Sequence, residues 1–547
     1  MQKLEKTEGP NNYSLSLISL TLLFLFALAR FVDLSADLPS YYDTGISVTD
    51  EGTYIDAPKK KVQTGEWNLA GEWWQSQKLT PLYALSLKNW LGVFGVSLIS
   101  ARALSAVLGV GILILSWLLG QRYYGQRGGL VLMTLVGSSF ILTHFNRAAM
   151  VESMQLFFIW AGLWALSFSP SKKREFCVGV LVSATVLVKM SGAIAWPGIV
   201  LWYMCSQKIA KDPKRLFSLI AGGFAPFVLA EIVYPGFLLS SYVYSQENFG
   251  RLLNLAQAPK HLLHVTVRSM YLSREAPLLV LAFLGLLKVI HYRNKHCYQH
   301  LLWGFVFSLL LCCCIDMAVR RYLLYMPWLY LFAVVGVCEI TDKKMDNKMS
   351  VLTSVALLLL TFLLLSGSLM FVGHFKWLPI KYIVSAATLI SIAVVVWGVK
   401  NKFFVVLLSR WKKSYSYVCV LAAIVLGGAQ HFNWMAAKTH YVAEVQQALS
   451  KRYTKGDVVY GNIAPMMTVE SEAQGFFLFN SMGDPQKWNF SDRVDLITYV
   501  TPRYGYENGY ITRFTQHYTR KTMIAGPWKM FAENEGVREV ALFRLEK

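Results

Sequence analysis

Charged side chains are scarce in this chain of 547 residues. Asp, Glu, Lys and Arg make up 16% of it, whereas soluble globular domains contain roughly a quarter. Hydrophobic residues make up 55%, and they are concentrated in long blocks. A helix of about 20 apolar residues crosses the roughly 30 Å of hydrocarbon in a bilayer. The composition therefore excludes a soluble globular protein and predicts a polytopic membrane protein.

Acidic residues are the scarcer of the charged types. There are 32 Asp and Glu against 53 Lys and Arg, which gives a formal net charge of +21. Nucleic acid is one partner that attracts such a charge, but the basic residues here cluster in short segments between apolar blocks. Lys and Arg in such segments hold loops in the cytoplasm. We therefore predict membrane lipids as partners and no nucleic acid, with an anionic substrate at the opposite face.

Several sequence motifs are missing. The eight cysteines lie in or beside apolar segments, and none forms a CxxC or Cys/His pattern, so we predict neither disulfides nor structural zinc. No P-loop, GxGxxG or DxD motif is present, which leaves a cytosolic nucleotide-sugar donor unsupported. The first apolar run continues to about Val32 without a small-residue cleavage site, so we expect a transmembrane helix and not a cleaved signal peptide.

The apolar blocks predict about thirteen transmembrane helices. Basic residues occupy alternate loops, which places the N-terminus in the cytoplasm and the C-terminus in the periplasm of a bacterial inner membrane. The approximate spans are 13–33, 98–120, 128–146, 152–169, 176–190, 192–206, 216–239, 276–290, 301–319, 322–340, 351–372, 380–399 and 415–431.

Three longer stretches face the periplasm in this topology, namely residues 34–97, 240–275 and 432–547. The first contains Pro81–Phe94, an amphipathic segment typical of a helix on the membrane surface. The last has helical periodicity over Tyr441–Tyr453 and strand-like runs at Asp457–Tyr460 and Val540–Leu545. We therefore predict an all-α transmembrane domain over 1–431, with periplasmic juxtamembrane helices, followed by a small periplasmic α/β domain.

Basic residues on the periplasmic side are exceptions to the loop rule. Where the bundle opens outward, they suit a phosphate head group whose lipid tail stays in the bilayer. The alternative is that each one merely snorkels to the interface. The candidates for binding the phosphate or its donor are Lys78, Arg147, Lys189, Arg251 and Arg321.

Acidic residues are few on that side. Asp50 and Glu51 are adjacent in an otherwise neutral stretch, where one carboxylate could deprotonate an acceptor while the other orients it. Alternatively, Asp50 is the N-cap of a helix that starts near Glu51. Glu152 closely follows Arg147, and the two either belong to the site or simply mark the end of one helix and the start of the next.

Six short segments on this face follow one another in a recognisable order. They are Asp50-Glu51 with Tyr54; Gln77-Lys78-Leu79-Thr80-Pro81-Leu82-Tyr83, with Ser100-Ala101-Arg102 after it; Asn146-Arg147-Ala148-Ala149-Met150-Val151-Glu152; Val188-Lys189-Met190-Ser191-Gly192; Gln246-Glu247-Asn248-Phe249-Gly250-Arg251; and Arg321-Tyr322-Leu323-Leu324-Tyr325-Met326-Pro327. This order resembles that of the GT-C fold transferases that use polyprenyl-phosphate sugars, the protein O-mannosyltransferases and the lipid A aminoarabinose transferases. The resemblance runs from about residue 13 to 340.

The resemblance implies an inverting glycosyltransferase. Such an enzyme moves a sugar from polyprenyl (undecaprenyl) phosphate to a periplasmic acceptor, which is a lipid A-like lipid, a protein hydroxyl or a glycan. It implies that Asp50 is the general base and that Glu51 positions it or contacts the acceptor or sugar. Glu152 would arrange the arginines or sugar hydroxyls, and Tyr54 would join the basic residues in donor binding.

Three positions depart from the family's pattern. Glu152 replaces the usual Asp, Gln77 stands where the aminoarabinose transferases have Glu, and Asn248 stands where they have His. Since a metal held by that Glu and His would lose ligands here, we predict no cofactor and no tightly bound metal, with a divalent metal as the open alternative. The alternative function is a transporter or flippase of a lipid-linked glycan, which the many spans and a cationic cavity also fit.

Overall fold

A computed structural model describes residues 12–38, 48–69, 72, 76–195, 200, 212–239, 275–291, 302, 304–306, 323–342, 403–478, 492–500, 514–532 and 536–547. The predicted spans 192–206, 301–319, 322–340, 351–372 and 380–399 lie wholly or partly outside these residues, as do most of the stretch 240–275, Asn248, Arg251 and Arg321.

The described part of the chain is mostly helical. Three of its helices, Leu98–Ser138, Pro213–Val233 and Tyr417–Ala437, are long and apolar enough to cross a membrane. The number of thirteen spans stays a prediction. The helices are α1 Asn12–Phe31, α2 Val48–Thr64, α3 Ser76–Leu79, α4 Pro81–Phe94, α5 Leu98–Ser138, α6 Phe140–Phe145, α7 Val151–Leu166, α8 Lys172–Val188, the 3-10 helix Met190–Ala195, α9 Pro213–Val233, α10 Ala276–His291, α11 Met326–Asp342, α12 Phe403–Ala437, α13 Tyr441–Arg452 and α14 Ala464–Met467.

Helix α5 contains two limbs that fold back on each other. Its backbone leaves helical geometry at Tyr124 and Gly125, and Gly125 has φ +67°, a conformation that glycine adopts without steric cost. A Cβ on Gly120 would collide with the carbonyl oxygen of Gly128, so the limbs touch directly beside the turn. The two limbs correspond to the spans that the sequence separates into 98–120 and 128–146.

The first predicted periplasmic stretch folds into short helices. Helix α4 has the bounds expected for the amphipathic segment, Pro81–Phe94. Helix α2 begins at Val48, so Asp50 and Glu51 lie within its first turn. The N-cap interpretation of Asp50 is therefore not supported.

The described residues of the C-terminal region 432–547, here called the tail, form a five-stranded mixed sheet. Its strands are β1 Val458–Gly461, β2 Gln474–Phe477, β3 Arg493–Tyr499, β4 Arg520–Ala532 and β5 Gly536–Glu546, in the order β2-β1-β3-β5-β4. Strand β1 pairs in parallel with β2 and β3, whereas β5 pairs antiparallel with β3 and β4. The helix expected at Tyr441–Tyr453 and the strands expected at Asp457–Tyr460 and Val540–Leu545 are found with small boundary shifts, as α13, β1 and β5.

Helix α2 and the tail are joined by buried polar contacts. The Lys59 ammonium lies 2.5 Å from the carbonyl oxygen of Thr468 and 2.6 Å from that of Ala473. Its neighbour Lys60 forms ion pairs within α2 and with Glu72. Both lysine side chains are fully buried, so the helix is anchored by groups that are normally solvated.

A second junction ties the end of α1 to the start of α13. The carboxylate of Asp37 accepts hydrogen bonds from the backbone N–H groups of Tyr441 and Val442, at 2.8 and 3.2 Å. It thereby satisfies donors that have no partner inside α13. The ends of these two helices are thus fixed against each other, far apart in sequence.

We expect Lys59 to make stability depend on pH. Burial lowers the pKa of Lys59 to about 7, whereas a lysine in an unfolded chain titrates near about 10.4. Between these values the unfolded chain binds a proton that the folded protein does not, so stability rises with pH and falls as the pH drops towards 7. A neutral amine still has two N–H donors for the two carbonyls.

The test compares Lys59→Met with the matched variant Lys61→Met in purified full-length protein. Thermal midpoints measured from pH 7 to about 10 should rise less steeply in Lys59→Met than in wild type, and Lys61→Met should keep the wild-type slope. Equal slopes in all three proteins would show that Lys59 remains charged in the folded state.

Candidate active site

A buried ion pair joins Glu51, in the first turn of α2, to Arg102 of α5. Arg102 donates from Nε and Nη2 to the two carboxylate oxygens of Glu51, both at 2.8 Å, and each side chain is only 2% exposed. The remaining Arg102 nitrogen donates to the carbonyl oxygens of Leu34 and Ala36 at 2.8 Å. Glu51 also accepts a hydrogen bond from the N–H of Ala149. Both carboxylate oxygens of Glu51 therefore have hydrogen-bond partners within the protein, and its predicted role stays a prediction.

Asp50 lies on a different face of α2 from Glu51, because adjacent helical residues point about 100° apart. Asp50 is half-buried and shares its helix face with Tyr54, one turn later. The ring of Tyr54 packs edge-on against the buried Tyr83 of α4, with centroids 6.0 Å apart. The Lys189 ammonium lies 5.6 Å from the centre of the same Tyr54 ring. Asp50 is therefore on the side of α2 that faces a cation.

Lys189 and Glu152 meet across two helices. The Lys189 ammonium is 3.1 Å from one carboxylate oxygen of Glu152, whose side chain is 3% exposed while that of Lys189 is 24% exposed. The amide of Gln155, one turn after Glu152, donates to the carbonyl oxygen of Lys189 at 2.9 Å. The second carboxylate oxygen of Glu152 is buried and has no hydrogen-bond partner among the described residues. One carboxylate oxygen of Glu152 can therefore still accept a hydrogen bond, and the Lys189 ammonium is partly exposed.

Lys78 lies in the short helix α3, which contacts both α2 and α4. It is half-buried, and the preceding Gln77 is buried with its side-chain oxygen unpartnered among the described residues. The structure thus places Lys78 on helices that pack around Tyr54 and Tyr83. The predicted roles of Arg251 and Arg321 remain predictions, because both residues lie outside the described ones.

Arg147 is placed differently from the prediction. Its guanidinium donates to the carbonyl oxygens of Ala29, Val32 and Asp33 at the end of α1. It also lies 4.5 Å from the centre of the Trp434 ring, and the residue is 2% exposed. Cations favourably cap the carbonyl end of a helix. Arg147 therefore caps the carbonyl end of α1, and its predicted role in binding phosphate stays a prediction.

Two residues, Arg102 and Tyr83, contact the predicted site residues Glu51 and Tyr54, although the sequence assigned no role to either. Arg102 belongs to a segment of the family-like pattern, but no role was assigned to it. Its signal was a lone charge inside an apolar span, which usually implies a buried partner. Tyr83 gave no such signal, because an aromatic residue in an amphipathic helix is more often core. Among the described residues, no group of three His, Cys, Asp or Glu side chains is placed to hold a metal ion.

Solved structures share this architecture over nearly the whole chain. ArnT from Cupriavidus metallidurans bound to undecaprenyl phosphate superposes with a TM-score of 0.58, at 12% identity and 98% coverage of both chains. ArnT from the same organism in the apo state gives a TM-score of 0.54, at 10% identity and 97% coverage of both chains. The chain has the GT-C fold. At such identities the likeness establishes the GT-C fold alone.

Sequence comparisons cover a smaller part of this GT-C chain. The family described as dolichyl-phosphate-mannose-protein mannosyltransferase matches residues 78–230, a segment that contains Lys78, Glu152 and Lys189. An uncharacterized protein of Aquifex aeolicus (strain VF5) is 27% identical over 212 residues. That match covers 35% of this chain and 40% of the relative, so the chain spans about two fifths of the relative's length.

We expect the Glu51–Arg102 pair to be strongly coupled. Removing one partner leaves the other charge buried and unpaired, which costs about 3–5 kcal/mol. Arg102→Met should therefore greatly lower the thermal midpoint in detergent, and Glu51→Leu/Arg102→Met should lose less than the sum of its single variants. Arg520→Met is the control, because Arg520 faces Glu546 at 3.8 Å with 72% exposure and surface pairs contribute about 0–1 kcal/mol. Additive losses in the double variant would contradict a coupled pair.

Proposed function

We propose that this membrane protein is an inverting glycosyltransferase that moves a sugar from a polyprenyl phosphate to an acceptor on the periplasmic side of a bacterial inner membrane. The observation behind the proposal is the contact of Lys189 with Tyr54 and Glu152, beside the face of α2 that Asp50 shares with Tyr54. The undecaprenyl phosphate in one of the similar ArnT structures supports a lipid phosphate as the carrier. The mannosyltransferase family match supports transfer of a hexose or a related sugar.

Charge determines the proposed roles. A leaving phosphate needs positive charge close to its developing negative charge, and such preorganised electrostatics usually contributes most to catalysis. Lys189 is partly exposed and held by Glu152 at 3.1 Å, so its position is set before the donor binds. Lys78, and Arg251 and Arg321 from outside the described residues, would complete the phosphate site. Tyr54 would pack against the donor beside Lys189.

The proposed reaction is a single displacement. Asp50 takes the proton from the acceptor hydroxyl or amine as the acceptor attacks the anomeric carbon. The bond between that carbon and the phosphate oxygen breaks on the opposite side, and its electron pair leaves with polyprenyl phosphate. The anomeric configuration inverts. The acceptor would be a lipid A-like lipid, a protein hydroxyl or a glycan, and the donor sugar a hexose or a pentose.

Asp50→Asn should abolish transfer without affecting membrane insertion. Asparagine keeps the size of the side chain but cannot accept the acceptor's proton, and general base catalysis contributes about 10²–10⁴-fold. The assay follows release of polyprenyl phosphate by purified protein given lipid-linked sugars and crude envelope acceptors. Asp492→Asn is the control, because that side chain is 92% exposed in the tail. Full activity in Asp50→Asn would exclude Asp50 as the base.

The proposed reaction needs no metal. Protonated Lys189 supplies the positive charge that a divalent ion supplies in other phosphate sites. Prolonged treatment of the active protein with a chelator should therefore leave the rate of release unchanged. A loss of activity that added divalent metal restores would contradict this and would point to ligands beyond the described residues.

A further inference from the structure

The Glu51–Arg102 pair is formed by two helices that the tail domain touches directly. Glu51 comes from the first turn of α2, and Arg102 lies one turn into α5. The segment from Met466 to Gln474, here named the bridging segment, contacts both helices. A small displacement of this segment would therefore displace the helices that carry Glu51 and Arg102.

The α2 side of this contact extends along one helix face. Gly52 follows Glu51 directly, and a Cβ at this position would lie 2.5 Å from the backbone nitrogen of Met466. Two turns later, Lys59 donates to carbonyl oxygens of the bridging segment, and Gln63 then accepts a hydrogen bond from Gln474 at 2.9 Å. Positions 52, 59 and 63 recur at helical spacing, so a single stripe of α2 rests on the tail.

The α5 side of the contact is a cap provided by another part of the chain. The N–H of Leu98, the first residue of α5, donates to a carboxylate oxygen of Glu470 at 2.7 Å. This N–H has no partner within the helix, and a carboxylate there also complements the helix dipole. Arg102 follows Leu98 by one turn on the same face. Glu470 therefore holds the first turn of α5, which carries Arg102 towards Glu51, together with the Ser97 side chain that accepts a hydrogen bond from the Ser100 N–H.

Apolar packing closes the space between these polar contacts. Ile55 of α2, Tyr83 of α4 and Ala101 of α5 belong to one buried cluster with Val445 and Met466 of the tail. Each of these five residues is completely buried. The contact is therefore a continuous core, unlike the polar and smaller interface expected between domains that move independently.

We propose that the tail domain is a positioning element of the active site, acting through the bridging segment on the Glu51–Arg102 pair and through that pair on Asp50. Glu470 is the positioning residue. This inference rests on the proposed function, because the tail is proposed to set the position of the general base Asp50. A tail that only recruits an acceptor would instead leave turnover independent of Glu470.

The test uses full-length protein and three variants. Glu470→Ala removes the acceptor for the Leu98 N–H, and Glu470→Gln retains an oxygen there. Glu472→Ala alters a second glutamate two residues away that is exposed like Glu470. We expect Glu470→Ala to lower kcat by at least about tenfold, since small misplacements of reacting groups are costly. The KM for the lipid-linked sugar should stay within about twofold, since donor binding is spared. Glu470→Gln should restore most of kcat, and Glu472→Ala should match wild type.

Hydrogen exchange gives a readout that does not depend on activity. In Glu470→Ala, amides of residues 48–56 and 98–102 should exchange faster than in wild type, while Glu472→Ala should leave them unchanged. If wild type releases no polyprenyl phosphate, the proposed function fails and the exchange data alone decide whether the tail positions these helices. Wild-type kcat or unchanged exchange in Glu470→Ala overturns the inference. A kcat loss that only parallels a fall in thermal midpoint also overturns it, because Glu470 would then be merely structural.

Discussion

The buried pair of Glu51 and Arg102 is the constraint on which the rest of the site depends. Two charges taken out of water are costly unless every remaining donor and acceptor is satisfied. Here the end of α1, the first turns of α2 and α5 and the backbone before α7 all supply partners. Moving any of these segments away would leave part of a buried charge without a partner. Glu51 faces inward, whereas its neighbour Asp50 shares a helix face with Tyr54, whose ring centre lies 5.6 Å from the Lys189 ammonium.

The ion pair of Lys189 and Glu152 differs from the Glu51–Arg102 pair, because its hydrogen-bonding groups are only partly satisfied. Lys189 and Glu152 are joined by a single contact of 3.1 Å, with one carboxylate oxygen buried and unpartnered in the described part of the chain. In a site of low dielectric, a cation held this way interacts strongly with an incoming phosphate. In our proposal the Glu51–Arg102 pair holds the helices in place, and the Lys189–Glu152 pair presents the cation that binds the phosphate.

Local signals in the sequence were sufficient for many elements. Proline at the first turn and amphipathic spacing gave Pro81–Phe94 correctly, and alternation of apolar residues located β1 and β5 in the tail. The GT-C fold followed from the order of short motifs. The adjacent carboxylates also drew attention to the right helix, although the sequence alone did not show that Glu51 and Asp50 face different ways. Contacts between segments that are far apart in sequence could not be predicted from local patterns. Lys59 belongs to a run of three lysines that looks solvated, yet it is buried by Thr468, 409 residues away.

The most direct test of a lipid-phosphate sugar transferase uses sealed proteoliposomes that contain isotopically labelled polyprenyl-phosphate sugar and an envelope acceptor. Mass spectrometry then follows the labelled sugar. Our account predicts that the label moves to the acceptor with inverted anomeric configuration, in an amount equal to the polyprenyl phosphate released. Translocation of the intact lipid-linked sugar across the bilayer, without its consumption under any acceptor, would contradict the account and identify a flippase.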